Sequence, residues 1–148
     1  MTVNMGAVTV FNGRTDKKER RKMFVPTVVR GVSYVESKGS AVADNGVWSA
    51  DVQYKLRVPV SAAVQANRAY LPEQRYAGLE TEDALGYWTI SRGDYVILGE
   101  HAMEDVMYED RLQAYAREKC LDLIRITEYA DNTFGGSPYT RHWRIGGK

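Results

Sequence analysis

His101, His142, Cys120 and the acidic trio Asp105, Glu109 and Asp110 are the residues of this 148-residue chain whose types could carry acid–base, nucleophilic or metal chemistry. A histidine titrates near neutrality and suits proton transfer. Neither histidine has a motif partner: His101 lies in a turn before a helical stretch, and His142 stands beside Trp143 in the last strand, so packing or surface roles are expected. Cys120 falls at a helix-to-strand junction next to Leu121 and Leu123, where a small buried hydrophobe is the ordinary reading. The acidic trio opens the helical stretch and complements its dipole, while a hard-cation loop needs a denser oxygen pattern and a glycine at the turn. Gly93 and Gly99 flank a strand and are read as turn formers, not as a phosphate loop. No catalytic, cofactor-binding or metal-ligating residues are expected, and the chain is read as a non-enzyme.

Cations are the remaining candidates. Lys17, Lys18, Arg20, Arg21 and Lys22 form a basic run that could neutralise phosphates, although Asp16 and Glu19 dilute it. A solvated hairpin tip, or the charged start of an edge strand, accounts for the same run. Lys55 and Arg57, with Arg68 and Arg75 further on, complete the candidate subunit or DNA contacts.

The elements that must position these residues are mostly strands. From Val47 to Val60 the chain alternates: Trp48, Ala50, Val52, Tyr54, Leu56, Val58 and Val60 share one face, and Asp51, Gln53, Lys55, Arg57 and Pro59 the other. Ala7–Phe11 reads as a strand ended by a turn at Asn12-Gly13, and Met23–Glu36 as a strand with Val28, Val32 and Tyr34 inward. Pro26 places the start of that strand at an edge or outside the ladder. Gly39 and Asp44-Asn45-Gly46 punctuate the path onward, which leaves Ser40–Ala43 as a short connecting strand at best. Residues 61–86 form a long irregular insertion. Trp88–Ile90 and Tyr95–Leu98 flank Ser91-Arg92-Gly93-Asp94 as a tight hairpin. Glu104–Lys119 is the single helix, with Tyr108, Leu112, Tyr115 and Ala116 as its apolar stripe. Leu121–Tyr129 and His142–Ile145 are strands, with a Gly-rich loop between them. The fold class is mainly β, a barrel or sandwich of about six to eight strands with one α-helix and one long loop.

One domain, residues 1–148, is expected from the length. With 44% hydrophobic and 26% charged residues and a formal net charge of +1, the composition is that of a folded protein without bulk attraction to DNA or anionic membranes. A lone cysteine excludes an internal disulfide framework. No signal peptide is read at the start, and no apolar run approaches the roughly 20 residues of a membrane span.

Several stretches together carry a resemblance: Val8-Thr9-Val10-Phe11-Asn12, Pro26 to Tyr34, Ser49-Ala50-Asp51 leading into Leu56 to Val60, Gly86 to Ile90, Arg92 to Glu100, and His142 to Lys148. Over nearly its whole length the chain resembles small uncharacterised proteins encoded among the head and tail morphogenesis genes of tailed phages and prophages of Gram-positive bacteria. Such proteins include head-closure (stopper) and tail-completion neck proteins. The resemblance implies a structural virion protein of the head-to-tail connector, assembled in the bacterial cytoplasm. It would form a homo-oligomeric ring that joins portal or adaptor to tail and lets double-stranded DNA pass, with no membrane and no cofactor. Residues 61–86 would then project toward the lumen or the next ring. The alternatives are a tail-terminator protein, or a small nucleic-acid-binding barrel that uses Arg20, Arg21 and Lys22 with Tyr34 or Tyr54 for stacking.

Overall fold

The computed structural model describes residues 3–42, 48–134, 136–137 and 140–148, with side chains from Met5 to Ser37 and again from Val52 within those stretches. Val47, the Asp44-Asn45-Gly46 turn and part of the Gly-rich loop lie outside the described residues, as does the side chain of Asp51. Ten strands are assigned among the described residues: β1 (Val3–Asp16), β2 (Arg21–Val42), β3 (Trp48–Pro59), β4 (Ala63–Val64), β5 (Ala69–Tyr70), β6 (Tyr87–Trp88), β7 (Tyr95–Leu98), β8 (Met107–Tyr108), β9 (Ile124–Asn132) and β10 (His142–Gly147). The helices are α1 (Glu73–Ala77), α2 (Thr81–Ala84) and α3 (Glu109–Glu118).

Antiparallel pairing runs β1-β7-β9-β10-β3-β2 and returns from β2 to β1, which closes a six-stranded barrel. The period-2 pattern explains the wall. Val8 and Val10, Tyr54, Leu56 and Val58, Val96, Ile124, Ile126 and Ile145 fill the interior together. Lys55 and Arg57, the intervening residues of β3, are exposed on the outside. Alternate residues Phe11, Phe24, Tyr95 and Ile97 point outward into a second apolar cluster, covered by Leu112 and Ala116 of α3. Two cores on opposite faces of one wall explain why β2 is buried at every position from Met23 to Val29.

The strand wall bends where β2 carries an extra residue. Gly6 pairs with Val32 and Val8 with Val29, and Gly31, at φ +85°, takes the conformation that this bulge requires. Beyond Val35 and Tyr54, β2 and β3 leave the barrel. From Ser37↔Gln53 to Val42↔Trp48 they pair only with each other among the described residues, a two-stranded arm of about 20 Å at ~3.3 Å per residue.

Several expectations are corrected. Asn12-Gly13 is no turn: β1 continues through it to Asp16, because Asn12 is fully buried and its carboxamide is consumed inside the barrel. Gly39 does not interrupt β2, which pairs with β3 as far as Val42. Ser91–Asp94 does turn, with the Asp94 N–H donating to the Ser91 carbonyl over 3.2 Å, but its flanks do not pair with each other. Instead β7 joins β1 and β9, and Tyr87–Trp88 pairs in parallel with Ala69–Tyr70. The long helix begins at Glu109, since Met107 and Tyr108 add a short strand to Met23 and Phe24 of β2. Residues 61–86 are not an irregular loop; they hold β4, a 3-10 turn at Gln65–Asn67, β5, α1 and α2.

Pro26 lies within β2, opposite Phe11, with no strand among the described residues on its other side between β8 and β4. That gap is filled by side chains: the Pro26 carbonyl accepts from Arg68 Nη1 at 2.8 Å, and the Val28 N–H donates to Gln65 Oε1 at 3.0 Å. The N–H that proline lacks falls on this unpaired side.

Candidate functional site

One end of the barrel is closed by the segment from β4 to α2, and polar groups hold it there. Asn12 Nδ2 donates to the Thr89 carbonyl at 2.6 Å and to Asp94 Oδ2 at 3.2 Å, while Asn12 Oδ1 accepts from the Thr89 N–H at 3.1 Å. Asp94 Oδ1 accepts from the Gly13 N–H at 3.0 Å. Burial pushes the Asp94 carboxyl up to about 6, against the opposing pull of Asn12, Gly13 and the Lys22 charge. Arg14 clasps the end of α1, donating to the carbonyls of Tyr76 (2.9 Å) and Leu79, with its guanidinium 5.2 Å from the Tyr76 ring centroid. Burial likewise pushes the Tyr76 hydroxyl up to about 12. Tyr129 donates to Glu73 Oε2 at 2.7 Å and fastens the start of the same helix.

Beside this seal, the β1–β2 hairpin and the α1–α2 segment enclose an open cleft of about 1130 Å³. Arg14, Lys17, Lys18 and Lys22 line it on the hairpin side, Glu80 and Glu82 on the other, with Met23, Val106 and Tyr108 at its base. The hairpin is stiffened locally. Asp16 accepts from Tyr108 Oη at 2.8 Å and from the Lys18 N–H at 3.0 Å, and the Tyr108 bond is the main cause of its lowered carboxyl pKa. Arg20 takes a left-handed turn conformation at φ 52°.

The structure divides the candidate cations. Lys17, Lys18 and Lys22 share the cleft, and Lys17 reaches Glu80 at 3.8 Å across it. Arg20 is exposed at the tip. Arg21 is drawn aside: its guanidinium lies 4.1 Å from the Tyr108 ring centroid and 2.8 Å from Asp110. Lys55 and Arg57 stand on the β3 wall outside the cleft, Arg57 donating to the Thr140 carbonyl at 3.4 Å. Arg75 is exposed on α1. Arg68 is half-buried, with Nη1 donating to the Pro26 carbonyl at 2.8 Å and to Thr27 Oγ1 at 2.7 Å.

His101 is built into the wall. Its Nδ1 accepts from Tyr115 Oη at 2.8 Å, Nε2 donates to the Leu98 carbonyl at 3.0 Å, and its N–H donates to Thr9 Oγ1. His142 lies at the β9–β10 end, with Nδ1 2.7 Å from the Thr140 carbonyl. Cys120, expected to be buried, is exposed: it is the left-handed residue, φ 55°, that ends α3. No group of three or more His, Cys, Asp or Glu side chains suited to a metal occurs among the described residues, and no helix there is long and apolar enough to cross a membrane. Sequence reasoning missed Asn12, Arg14 and Asp94. The signal was present in the polar Asn12 and Arg14 continuing the parity of Val8 and Val10, but the Asn-Gly turn preference masked it.

A model of DUF6751, a family of unknown function, matches residues 3–148. No curated protein and no solved structure matches the chain.

Proposed function

We propose, for a chain that belongs to DUF6751, a structural role in a virion: a subunit of the head-to-tail connector that assembles into a ring through which DNA passes. The arm of β2 and β3 carries this reading. A closed barrel has no free strand edge, so the edge-to-edge ring expected for an open sheet is unavailable to the six wall strands. Among the described residues no further strand pairs with the outer side of β2 or of β3 along the arm, and a two-stranded ribbon alone is marginally stable in water. Strand addition from a neighbouring subunit satisfies those edges, and a heterologous contact of that kind closes into a ring when the rotation permits.

The remaining features support the same role. Lys55 and Arg57 present charge on the outer wall, and the cleft carries cations facing carboxylates, which suits contacts between unlike surfaces of identical subunits. A net charge of +1 leaves DNA free to pass without strong phosphate neutralisation. The portal or adaptor on one side and the tail on the other are the partners of such a ring, whether it sits at the head or at the tail side of the neck.

Light scattering after size exclusion, with negative-stain imaging, tests the proposal on the purified chain. A ring is expected, and replacing residues 37–53 by a short Gly-containing turn is expected to give a monomer that still unfolds cooperatively. A strictly monomeric parent that also fails to associate with portal and tail proteins overturns it.

A further inference from the structure

The β1–β2 hairpin that borders the large cleft outruns the barrel. β7 pairs with β1 only from Val8 to Phe11, so from Asn12 to Asp16 the side of β1 away from β2 has no strand beside it among the described residues. One hydrogen bond fixes the backbone polarity on that side. The Gly13 N–H donates to Asp94 Oδ1 at 3.0 Å and therefore points away from Phe24, its neighbour on β2. Antiparallel pairs alternate between bonded and non-bonded, so Thr15, two residues on, also turns its N–H and C=O outward. Neither group has a hydrogen-bond partner among the described residues, and Thr15 is exposed where it lines the cleft. A short edge of this kind accepts an added strand.

Charge and position select the occupant. Residues 16–22 carry five cations against Asp16 and Glu19, a net +3, and Lys18 and Lys22 make no ion pair among the described residues. Between Ser37 and Gln53 the arm carries Lys38 against Asp44 and Asp51, a net −1. Along the arm β2 and β3 pair with no further strand among the described residues. The chain thus holds a second strand edge of opposite charge. Ser37 is 15 positions beyond Lys22 on β2, and the arm continues away from the hairpin, so the arm that meets a given cleft is a neighbour's.

We propose that the arm of one copy adds to the Thr15 edge of the next and sits beside the cations of its cleft. The two surfaces differ, so the contact is heterologous and repeats from subunit to subunit, as a ring requires. The pairing rests on the ring reading above and names the surface on which the arm lands.

Two variants of the whole chain test it. Thr15→Pro deletes the outward N–H and keeps the arm, whereas exchange of residues 37–53 for a short turn deletes the arm and keeps the edge. Each alone is expected to be monomeric by sedimentation. Their mixture is expected to give a one-to-one dimer at concentrations where neither variant associates by itself, because one arm and one edge remain. Thr15→Pro falls at a non-bonded pair and is expected to keep the parent's cooperative unfolding. Should it unfold, Lys17→Glu with Lys18→Glu takes its place: assembly is expected to weaken about tenfold and to recover with Asp44→Lys and Asp51→Lys on the arm. A Thr15→Pro protein that assembles as the parent does, a mixture that stays monomeric, or a charge exchange without recovery overturns the docking and leaves the ring reading in place. A monomeric parent overturns both.

Discussion

Asn12 Nδ2 lies 3.2 Å from Asp94 Oδ2 inside the barrel end, and the same carboxamide makes both hydrogen bonds to the backbone of Thr89. One side chain thereby joins β1, the start of β7 and the chain leaving β6. Asn12→Ala removes all three bonds and leaves a buried N–H, a buried carbonyl and a carboxylate oxygen unsatisfied. At ~1–3 kcal/mol for each buried group left without a partner, and with some relaxation by water, a loss of about 3 kcal/mol is expected. Urea unfolding of the two proteins measures it.

The Asp94 carboxyl makes stability depend on pH in an unusual direction for an acid. Its pKa is raised by burial from 3.8 to about 6, so between these values the folded state holds more protons than the unfolded state. Stability therefore falls as pH rises from about 4 to 6, then levels, by an amount on the order of 2 kcal/mol. Thermal midpoints across this range, compared with Asp94→Asn, test the assignment: the variant is expected to lose most of the slope. A slope that is unchanged in the variant assigns it to other groups.

Cys120 closes α3 in a conformation better suited to glycine. The Leu121 N–H donates to the Ala116 carbonyl at 2.8 Å and the Cys120 N–H to the Arg117 carbonyl at 3.2 Å, the paired bonds of a Schellman ending with Cys120 at φ 55°. Cys120→Gly removes the Cβ penalty at an exposed site and is expected to raise stability by about 1 kcal/mol, after the entropy that glycine adds to the unfolded chain is set against it. A chemical-denaturation midpoint shifted upward at constant slope is the expected reading.

Gly147 is demanded by crowding. A Cβ there would stand 2.5 Å from the Arg125 carbonyl oxygen and 2.8 Å from Ile124 Cγ2, and the first of these atoms is backbone. Register also shifts between Gly146 and Gly147 where β10 meets β9. Gly147→Ala forces β9 and β10 apart and is expected to cost about 2 kcal/mol or more. By contrast, Gly6→Ala, whose Cβ would meet nothing within 4 Å, is expected to be nearly silent.

Period-2 alternation made the barrel wall legible, because each wall strand has one dry face, and the even parity of Tyr54, Leu56 and Val58 is the parity observed. The topology was not legible: which strands pair depends on contacts such as Asn12 with Asp94, 82 positions apart, for which local pattern carries no signal. Trp88 misled because its apolar neighbours suit a hairpin strand, whereas its ring is consumed at the barrel end with Tyr70 and Trp143. The bonds of Arg68 to Pro26 and Thr27 were likewise not legible, because they depend on the gap in the ladder at Pro26, 42 positions away.

The arm offers the sharpest separation between folding and assembly. Barrel closure uses β2 up to Val35 and β3 from Tyr54, so a proline placed at Gln53 or Ser37 lies beyond the last pair made to β1 or β10. Such a residue removes one donor from the ribbon and breaks its continuity without touching the interior cluster. The barrel of Gln53→Pro is therefore expected to keep its cooperative transition at a cost of about 1–2 kcal/mol, because Val52 is the one described side chain of the arm that packs against the interior cluster. Oligomerisation is expected to be lost in the same sample, measured by sedimentation over a wide concentration range. If the variant assembles as the parent does, subunits meet through the outer wall at Lys55 and Arg57 instead, and the paired charge reversal of those two residues then becomes the variant that dissolves the ring.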